Sequence, residues 1–168
     1  MASRIVTPVE NEKLLKFSKE LTQNPDIVLD YLDHGDYGEP RRCIYNVENY
    51  IKENGGEKVT GWLITKHIDT HIYYEAIFHY VVRLQDDSLK CVTPRTGDTV
   101  NKYCFVIDDS HEMTIDGDEY TRPRNRVAEC KSPQEIFYNL NDENTLPQTS
   151  SHLSLDEKDS MVTHRIEW

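Results

Sequence analysis

Residues 43–68, CIYNVENYIKENGGEKVTGWLITKHI, contain the change of hydrophobic period that decides the fold. Ile44, Val47 and Ile51 recur at helical spacing, and Gly55-Gly56 supplies residues that end a helix. From residue 58 onward the period changes to two, which is typical of a β-strand. The stretch therefore predicts a helix that begins near Cys43 and is followed directly by a strand.

The flanking segments extend this pattern. Residues 70–84, 88–94 and 102–108 read as three further strands, with QDDS as the hairpin turn between the first two of them. Upstream, TPVENEKLLKFSKEL predicts a helix capped by Thr7, whereas residues 26–35 form a short element of uncertain type. We expect an α+β fold: N-terminal helices, then a mainly antiparallel sheet of about four or more strands on which the Cys43 helix packs.

Length and composition predict one domain. The chain has 168 residues, enough for a single core, which we place at residues 1–128. Residues 129–168 are polar and are expected to form a partly flexible tail. Within the domain, TRPRNR at residues 121–126 is interpreted as a charge-balancing surface loop. The alternative is that its arginines hold a phosphate or a carboxylate.

Charge and hydropathy exclude several classes of function. The formal net charge of −11 argues against broad binding of nucleic acid or of an anionic membrane, while a cationic protein partner stays compatible. No apolar run approaches the roughly 20 residues that span a bilayer, and the first residues lack a signal-peptide core. We expect a cytoplasmic protein. Its four cysteines show no CxxC spacing, so they are expected to be free thiols, and no cofactor is expected.

The sharpest chemical pattern joins Cys43 to the strand at residues 70–84. Alternation along that strand places Glu75 and His79 on the face opposite to the apolar one. If the Cys43 helix packs on the His79 face, the thiol and the imidazole meet, with the helix end favouring the thiolate. Such a pair is typical of papain-like and transglutaminase-like enzymes. A third residue would orient the imidazole, and the candidates are Glu75, Thr93 and Asp108.

Four segments carry a resemblance to a known group of proteins. They are CIYNVENYIKENGGEKVTGW, YYEAIFHYVV, LKCVTP and FVIDD, which together fall within residues 43–109. They resemble a group of small, largely uncharacterised Cys–His domain proteins with a CxxNV helix, Gly-Gly, Gly-Trp, a Phe-His strand and a strand ending in Thr-Pro. The resemblance implies a compact Cys–His α+β domain, remotely related to papain-like and transglutaminase-like folds. In that group an aspartate often stands two residues before Thr-Pro, and here that residue is Cys91.

The first functional hypothesis is a cysteine-dependent hydrolase or acyl-transfer enzyme that acts on a protein or peptide. Cys43 would be the nucleophile and His79 the general base, with Glu75 or Asp108 orienting the imidazole. Three further residues are expected to contact substrate: Asn46, Trp62 and Thr93. Several of these residues also have a purely structural interpretation. Cys43 would be a buried thiol and His79 a core histidine, Asn46 would tie down a loop, and Trp62 would pack the sheet.

Two other functions are weighed. The first is a protein-interaction module that keeps the same domain without chemistry, which suits the acidic charge, the tail and Cys91. The second and weaker one is a metal-binding protein that uses His67, Asp69 and His71, because alternation places the three on one strand face. We expect no metal in the enzyme hypothesis, and DDSHE at residues 108–112 is expected to be a solvated loop. The sequence does not indicate an oligomeric state.

Overall fold

The computed structural model describes residues 4–22, 24–68, 71–95, 100, 102–130 and 161–165. Two helices are present in this part of the chain, α1 (Glu12–Leu21) and α2 (Cys43–Asn54). Ten strands accompany them: β1 (Arg4–Val6), β2 (Asp30–Asp33), β3 (Glu57–Ile68), β4 (Ile72–Arg83), β5 (Leu89–Lys90), β6 (Lys102–Ile107), β7 (Thr114–Asp116), β8 (Glu119–Pro123), β9 (Arg126–Glu129) and β10 (Met161–Arg165). Neither of the two described helices is long and apolar enough to cross a membrane.

The strands form two antiparallel sheets. In the larger sheet the order is β2-β6-β3-β4-β5, with β1 paired to β3 and β9 paired to β4. The smaller sheet has the order β10-β8-β7. The chain is therefore an α+β protein with two described helices and mainly antiparallel strands, as the hydrophobic periods predict.

The β3–β4 hairpin forms the centre of the larger sheet. Its two strands pair over their whole lengths, from Glu57 opposite Arg83 to Ile68 opposite Ile72. Side chains alternate between the two faces of such a hairpin, so each face carries its own set of apolar residues. Trp62 and Phe78 are opposite each other on one face, where their rings meet edge to face with centroids 5.2 Å apart.

The two helices cover the Trp62–Phe78 face. Apolar residues of both helices share one buried cluster with that face: Leu14, Phe17 and Leu21 of α1, Ile44 and Val47 of α2, and Trp62, Ile64, Tyr74, Ala76, Phe78, Tyr80 and Val82 of the hairpin. The other face has a separate cluster, which includes Leu63, Val81, Cys91, Tyr103 and Phe105. His79 belongs to this second face by alternation, and its ring centroid lies 6.4 Å from that of Tyr103. The expected packing of α2 on the His79 face is therefore wrong.

Local expectations were wrong at the start of α1. Its N-cap is Asn11, whose Oδ1 accepts a hydrogen bond from the Leu14 N–H at 2.9 Å, and not Thr7. The segment that ends at Val6 pairs with β3 and is extended, so Thr7 lies in the connection and donates to the carbonyl of Lys102. The element of uncertain type contributes strand β2.

The basic segment at residues 121–126 is not a surface loop. Its first residues belong to β8 and its last residue begins β9, so only Arg124 and Asn125 lie between strands. Strand β10 lies inside the expected C-terminal tail and pairs with β8. The rest of that tail, residues 131–160 and 166–168, lies outside the described residues.

Candidate active site

The candidate site lies at an open stretch of the β4 edge. On this side of β4, strand β9 pairs with Tyr73–Ala76 and strand β5 with Val82–Arg83. Within the described residues, β3 pairs with the segment between them on one side, and no strand pairs with it on this other side. A cavity of about 460 Å³ lies here, a size common among small-molecule sites.

Cys43 and His79 line the same cavity although they belong to opposite sides of β4. Cys43 packs with the helix-side cluster, whereas His79 projects from the other face, and both line the cavity. Its wall also includes Phe78 from the first side and Tyr103 from the second. The two residues therefore share a cavity at the strand edge, and this does not depend on packing of the helix on the His79 face. The described hydrogen bonds join the imidazole to Cys91 and not to Cys43.

Cys43 is the first residue of α2 and is half-buried. Burial raises the pKa of its thiol to about 11, and this effect outweighs the backbone N–H groups of Tyr80, Ile44 and Cys43 itself, which lower it. Arg41, two residues upstream, has φ of 65°, a left-handed conformation that costs a non-glycine residue energy. The bend that presents Cys43 to the cavity is thus a strained one, and the thiol is neutral at pH 7.

His79 is oriented by Cys91. Its Nε2 lies 3.3 Å from the Cys91 Sγ, which in turn lies 3.8 Å from the carbonyl oxygen of Thr93. One assignment of hydrogens satisfies both contacts: the Nε2–H donates to the sulfur, and the S–H donates to Thr93. Nδ1 is then the unprotonated ring nitrogen that is left to act as a base. Burial, followed by the charge of Arg95, lowers the pKa of His79 to about 4, so this imidazole is neutral at pH 7.

The two carboxylates expected to orient His79 are bound elsewhere. Glu75 lies 3.5 Å from the Nε2 of His67, toward the other end of β4. Asp108 accepts hydrogen bonds from the Trp62 Nε1 and from Ser110, and its Oδ2 lies 2.8 Å from the His111 Nδ1. Its side chain is completely buried, because these partners replace water. Residues 108–112 form a loop as expected, with Asp109, Ser110 and Glu112 exposed, and Asp108 is its one buried residue. The orienting roles of Glu75 and Asp108 are wrong, because the partners described for both carboxylates do not include His79.

The three expected substrate contacts have structural partners. Asn46 is buried, accepts from the Glu39 N–H, and donates to the Glu39 carbonyl and the Thr93 hydroxyl. It thereby ties the loop before α2 to the segment after β5. Gly38 of that loop has φ of 77°, and a Cβ there would lie 2.0 Å from the Asn46 Oδ1, so only glycine fits.

Of these three residues, Thr93 lines the cavity. Trp62 has a fully buried side chain in the helix-side cluster. Neither Trp62 nor Asn46 is among the described residues of the cavity wall. Sequence reasoning did not assign Cys91 to the site. The signal was present, since Cys91 occupies the aspartate position of the resembled group.

The wall of the cavity is basic. Arg41, Arg42, Arg95 and Arg122 all line it, and none of its described lining residues is Asp or Glu. Arg95 lies over the Tyr103 ring, with its Cζ 4.1 Å from the ring centroid. The local charge is thus opposite to the formal net charge of −11 of the whole chain.

No metal centre is found in the described part of the chain, which does not include Asp69 of the His67–Asp69–His71 hypothesis. His67 stacks on Tyr73 with centroids 4.7 Å apart, and His71 is buried. No protein-family model, no curated protein and no solved structure matches the chain. The chemistry of the site is accordingly derived from its own geometry.

Proposed function

We propose that the protein is a cysteine-dependent hydrolase or acyl-transfer enzyme. Cys43 is the nucleophile, His79 is the general base, and Cys91 takes the position of the residue that orients the imidazole. The observation that carries the proposal is the arrangement around His79. Its Nε2 contacts Cys91 at 3.3 Å, and the cavity that His79 lines is also lined by Cys43.

The reaction has two half-steps. The Cys43 sulfur attacks the acyl carbon of an ester, thioester or amide, and its proton passes to the Nδ1 of His79. The backbone N–H groups at the start of α2 are donors for the developing oxyanion. Collapse of the tetrahedral intermediate releases the leaving group with the proton from His79. The thioester on Cys43 is then cleaved by water or transferred to an acceptor, with His79 removing a proton from that nucleophile.

The two pKa values place a barrier before the first half-step. A thiol pKa of about 11 and an imidazole pKa of about 4 both disfavour the thiolate–imidazolium pair in the empty site. The proton transfer therefore accompanies bond formation or follows a change of charge in the cavity. In either case we expect a slow enzyme compared with one that has a carboxylate at position 91.

Trapping of the acyl-enzyme tests the proposal. Wild-type protein incubated with p-nitrophenyl acyl esters and with acyl thioesters should gain one acyl group on Cys43, located by peptide mass spectrometry. Cys104 and Cys130 are buried and outside the described cavity wall, so they serve as internal controls in the same sample. Cys43→Ala should gain no acyl group, and His79→Gln should form the adduct more slowly. Acylation that is equal in wild type and Cys43→Ala would refute the mechanism.

A non-catalytic protein-interaction module is the second candidate. The pKa directions favour it, because a neutral thiol and a neutral imidazole are the resting forms of a site without chemistry. This function predicts a stoichiometric protein partner whose binding is unchanged in Cys43→Ala, together with no acyl adduct on any cysteine. Isothermal titration with the purified partner and the trapping experiment separate the two functions.

A further inference from the structure

The arginines of the cavity come from three separate parts of the fold. Arg41 and Arg42 precede α2, Arg95 follows β5, and Arg122 lies on β8. Residues distant in sequence thus place four positive charges around one cavity, in a chain with 30 acidic and 19 basic residues. A surface with randomly mixed charges would place carboxylates in such a wall, and among its described residues there are none.

We propose that this cavity binds an anionic group, a carboxylate or a phosphate, carried by the acyl substrate. The inference rests on the proposed function only in taking the anion to be part of that substrate. Arginine is suited to this task because its planar fork donates two parallel hydrogen bonds to a carboxylate or a phosphate. The N-terminal end of α2 adds backbone N–H groups and the positive end of the helix dipole to the same wall.

Two of the arginines are held in place before any ligand arrives. The Arg95 guanidinium lies over Tyr103. The Arg122 Nη1 donates to the Asn125 Oδ1 at 2.5 Å and to the Pro123 carbonyl at 3.2 Å. Ordered side chains lose less conformational freedom when they bind, so an anion gains more from them than from freely rotating surface arginines.

Binding of an anion also changes His79. Groups that face the imidazole are Cys91 and Arg95 after β5, Tyr103 on β6, and Cys43 across the cavity. Of these, Arg95 carries the positive charge that helps to hold the pKa of His79 low. An anion seated against Arg95 offsets this charge, and the imidazole becomes a stronger base. Arrival of substrate would therefore prepare the base for its own reaction.

Binding is measured on Cys43→Ala, which removes the nucleophile and leaves every arginine in place. The probes are inorganic phosphate, succinate and neutral succinamide, at constant ionic strength in chloride, followed by NMR chemical shifts. We expect phosphate or succinate to bind and succinamide not to bind. The anion that binds more tightly identifies whether the charged group of the substrate is a phosphate or a carboxylate. Arg95→Gln and Arg122→Gln should each weaken binding by about tenfold or more.

Arg124→Gln is the matched control, because Arg124 is exposed, neighbours Arg122 in sequence and is not among the described lining residues. It should leave binding unchanged. If Arg95→Gln does not fold, as judged by circular dichroism, Arg122→Gln and the charge-keeping Arg95→Lys carry the test. Equal binding of succinate and succinamide, or equal losses in Arg122→Gln and Arg124→Gln, would overturn the proposal.

A second measurement uses two alkylating reagents that share the reacting CH2–I group and differ in the other end, which is an anionic carboxylate in iodoacetate and a neutral amide in iodoacetamide. The ratio of the iodoacetate rate to the iodoacetamide rate at Cys43 should be at least several times higher in folded wild type than in urea-unfolded protein. Arg95→Gln should reduce this ratio toward the unfolded value. Anion binding without an acyl-enzyme would leave the binding proposal standing and remove the proposed function. An acyl-enzyme formed equally well from charged and neutral acyl esters would support the proposed function and overturn the binding proposal.

Discussion

Replacement of Cys91 by aspartate restores a carboxylate beside His79 and tests the whole arrangement of the site. The Cys91 sulfur lies 3.3 Å from the His79 Nε2, so a carboxylate at this position accepts the same hydrogen bond and adds a negative charge. An opposite charge at such a distance raises the pKa of an imidazole by about 1 to 3 pH units. We therefore expect the pKa of His79 to rise from about 4 to between about 5 and 7.

The consequence for the thiol follows from the same numbers. With a pKa of about 4, about one imidazole in a thousand is protonated at pH 7. A rise of two pH units makes this about one in ten and favours the thiolate–imidazolium pair by about 3 kcal/mol. Cys91 is only 2% exposed, so the new carboxylate is buried. Burial raises the pKa of the Cys91 thiol, while the charge of Arg95 acts in the opposite direction, and the same charge favours the ionised form of the aspartate.

The pKa of His79 is measured by NMR titration of its ring protons, and the reactivity of Cys43 by the pH dependence of its alkylation. Cys91→Asn is the control, because asparagine has nearly the shape of aspartate without the charge. It should leave the His79 pKa near its wild-type value. The reasoning is refuted if folded Cys91→Asp titrates at His79 as the wild type does, because the carboxylate would then not face the imidazole.

Three further predictions concern stability. First, the pKa of His79 is lower in the folded chain than the unfolded reference of about 6.5. The contribution of this imidazole to the free energy of unfolding is therefore complete above pH 6.5 and is lost as the pH falls toward 4. As the pH falls over this range, urea unfolding should show that wild type loses at most about 3 kcal/mol more unfolding free energy than His79→Gln does. The same pH dependence in both proteins would contradict the low pKa assigned to His79. Second, Asn46→Ala leaves the Glu39 backbone groups without a buried partner and should cost about 1–3 kcal/mol in urea unfolding, whereas a change below about 0.5 kcal/mol would mean that the loop is held otherwise. Third, Phe78→Ala should cost about 3–5 kcal/mol, because the helices cover this face, while Ile77→Ala on the opposite and more exposed face should cost much less. Similar losses of unfolding free energy in these two variants would mean that the faces are wrongly assigned.

The hydrophobic periods were sufficient for the central elements and insufficient for the packing. Helix α2 and the β3–β4 hairpin follow from local patterns. Alternation also separates the two faces of β4, but both faces carry apolar residues, such as Phe78 on one and Val81 on the other. Which face the helices cover is decided by the whole sheet, and a pattern within one strand does not contain that information.

Long-range pairing explains the other errors. Thr7 and Asn11 are both good capping residues, and the choice between them depends on the pairing of β1 with β3. Strand β8 has little apolar alternation, and besides its hairpin with β7 it pairs with β10, about 40 residues later in the chain. Asp108 is buried because the Trp62 indole, 46 residues earlier, donates to it. Each case depends on a partner that no local window includes.

Burial is the main reason why the site is neutral at rest, and Cys91 and Arg95 act on the same imidazole in the same direction. The residue that would supply a negative charge to His79 is a thiol, and the charge that acts on the imidazole, on Arg95, is positive. Together with burial, both features hold the base in its unprotonated form, and burial keeps Cys43 as a thiol. In the proposed mechanism the missing negative charge comes from the ligand, which enters a cavity whose arginines attract anions. Cys43 would then be converted to a nucleophile only when an anionic acyl group is beside it, and other electrophiles would meet an unreactive thiol.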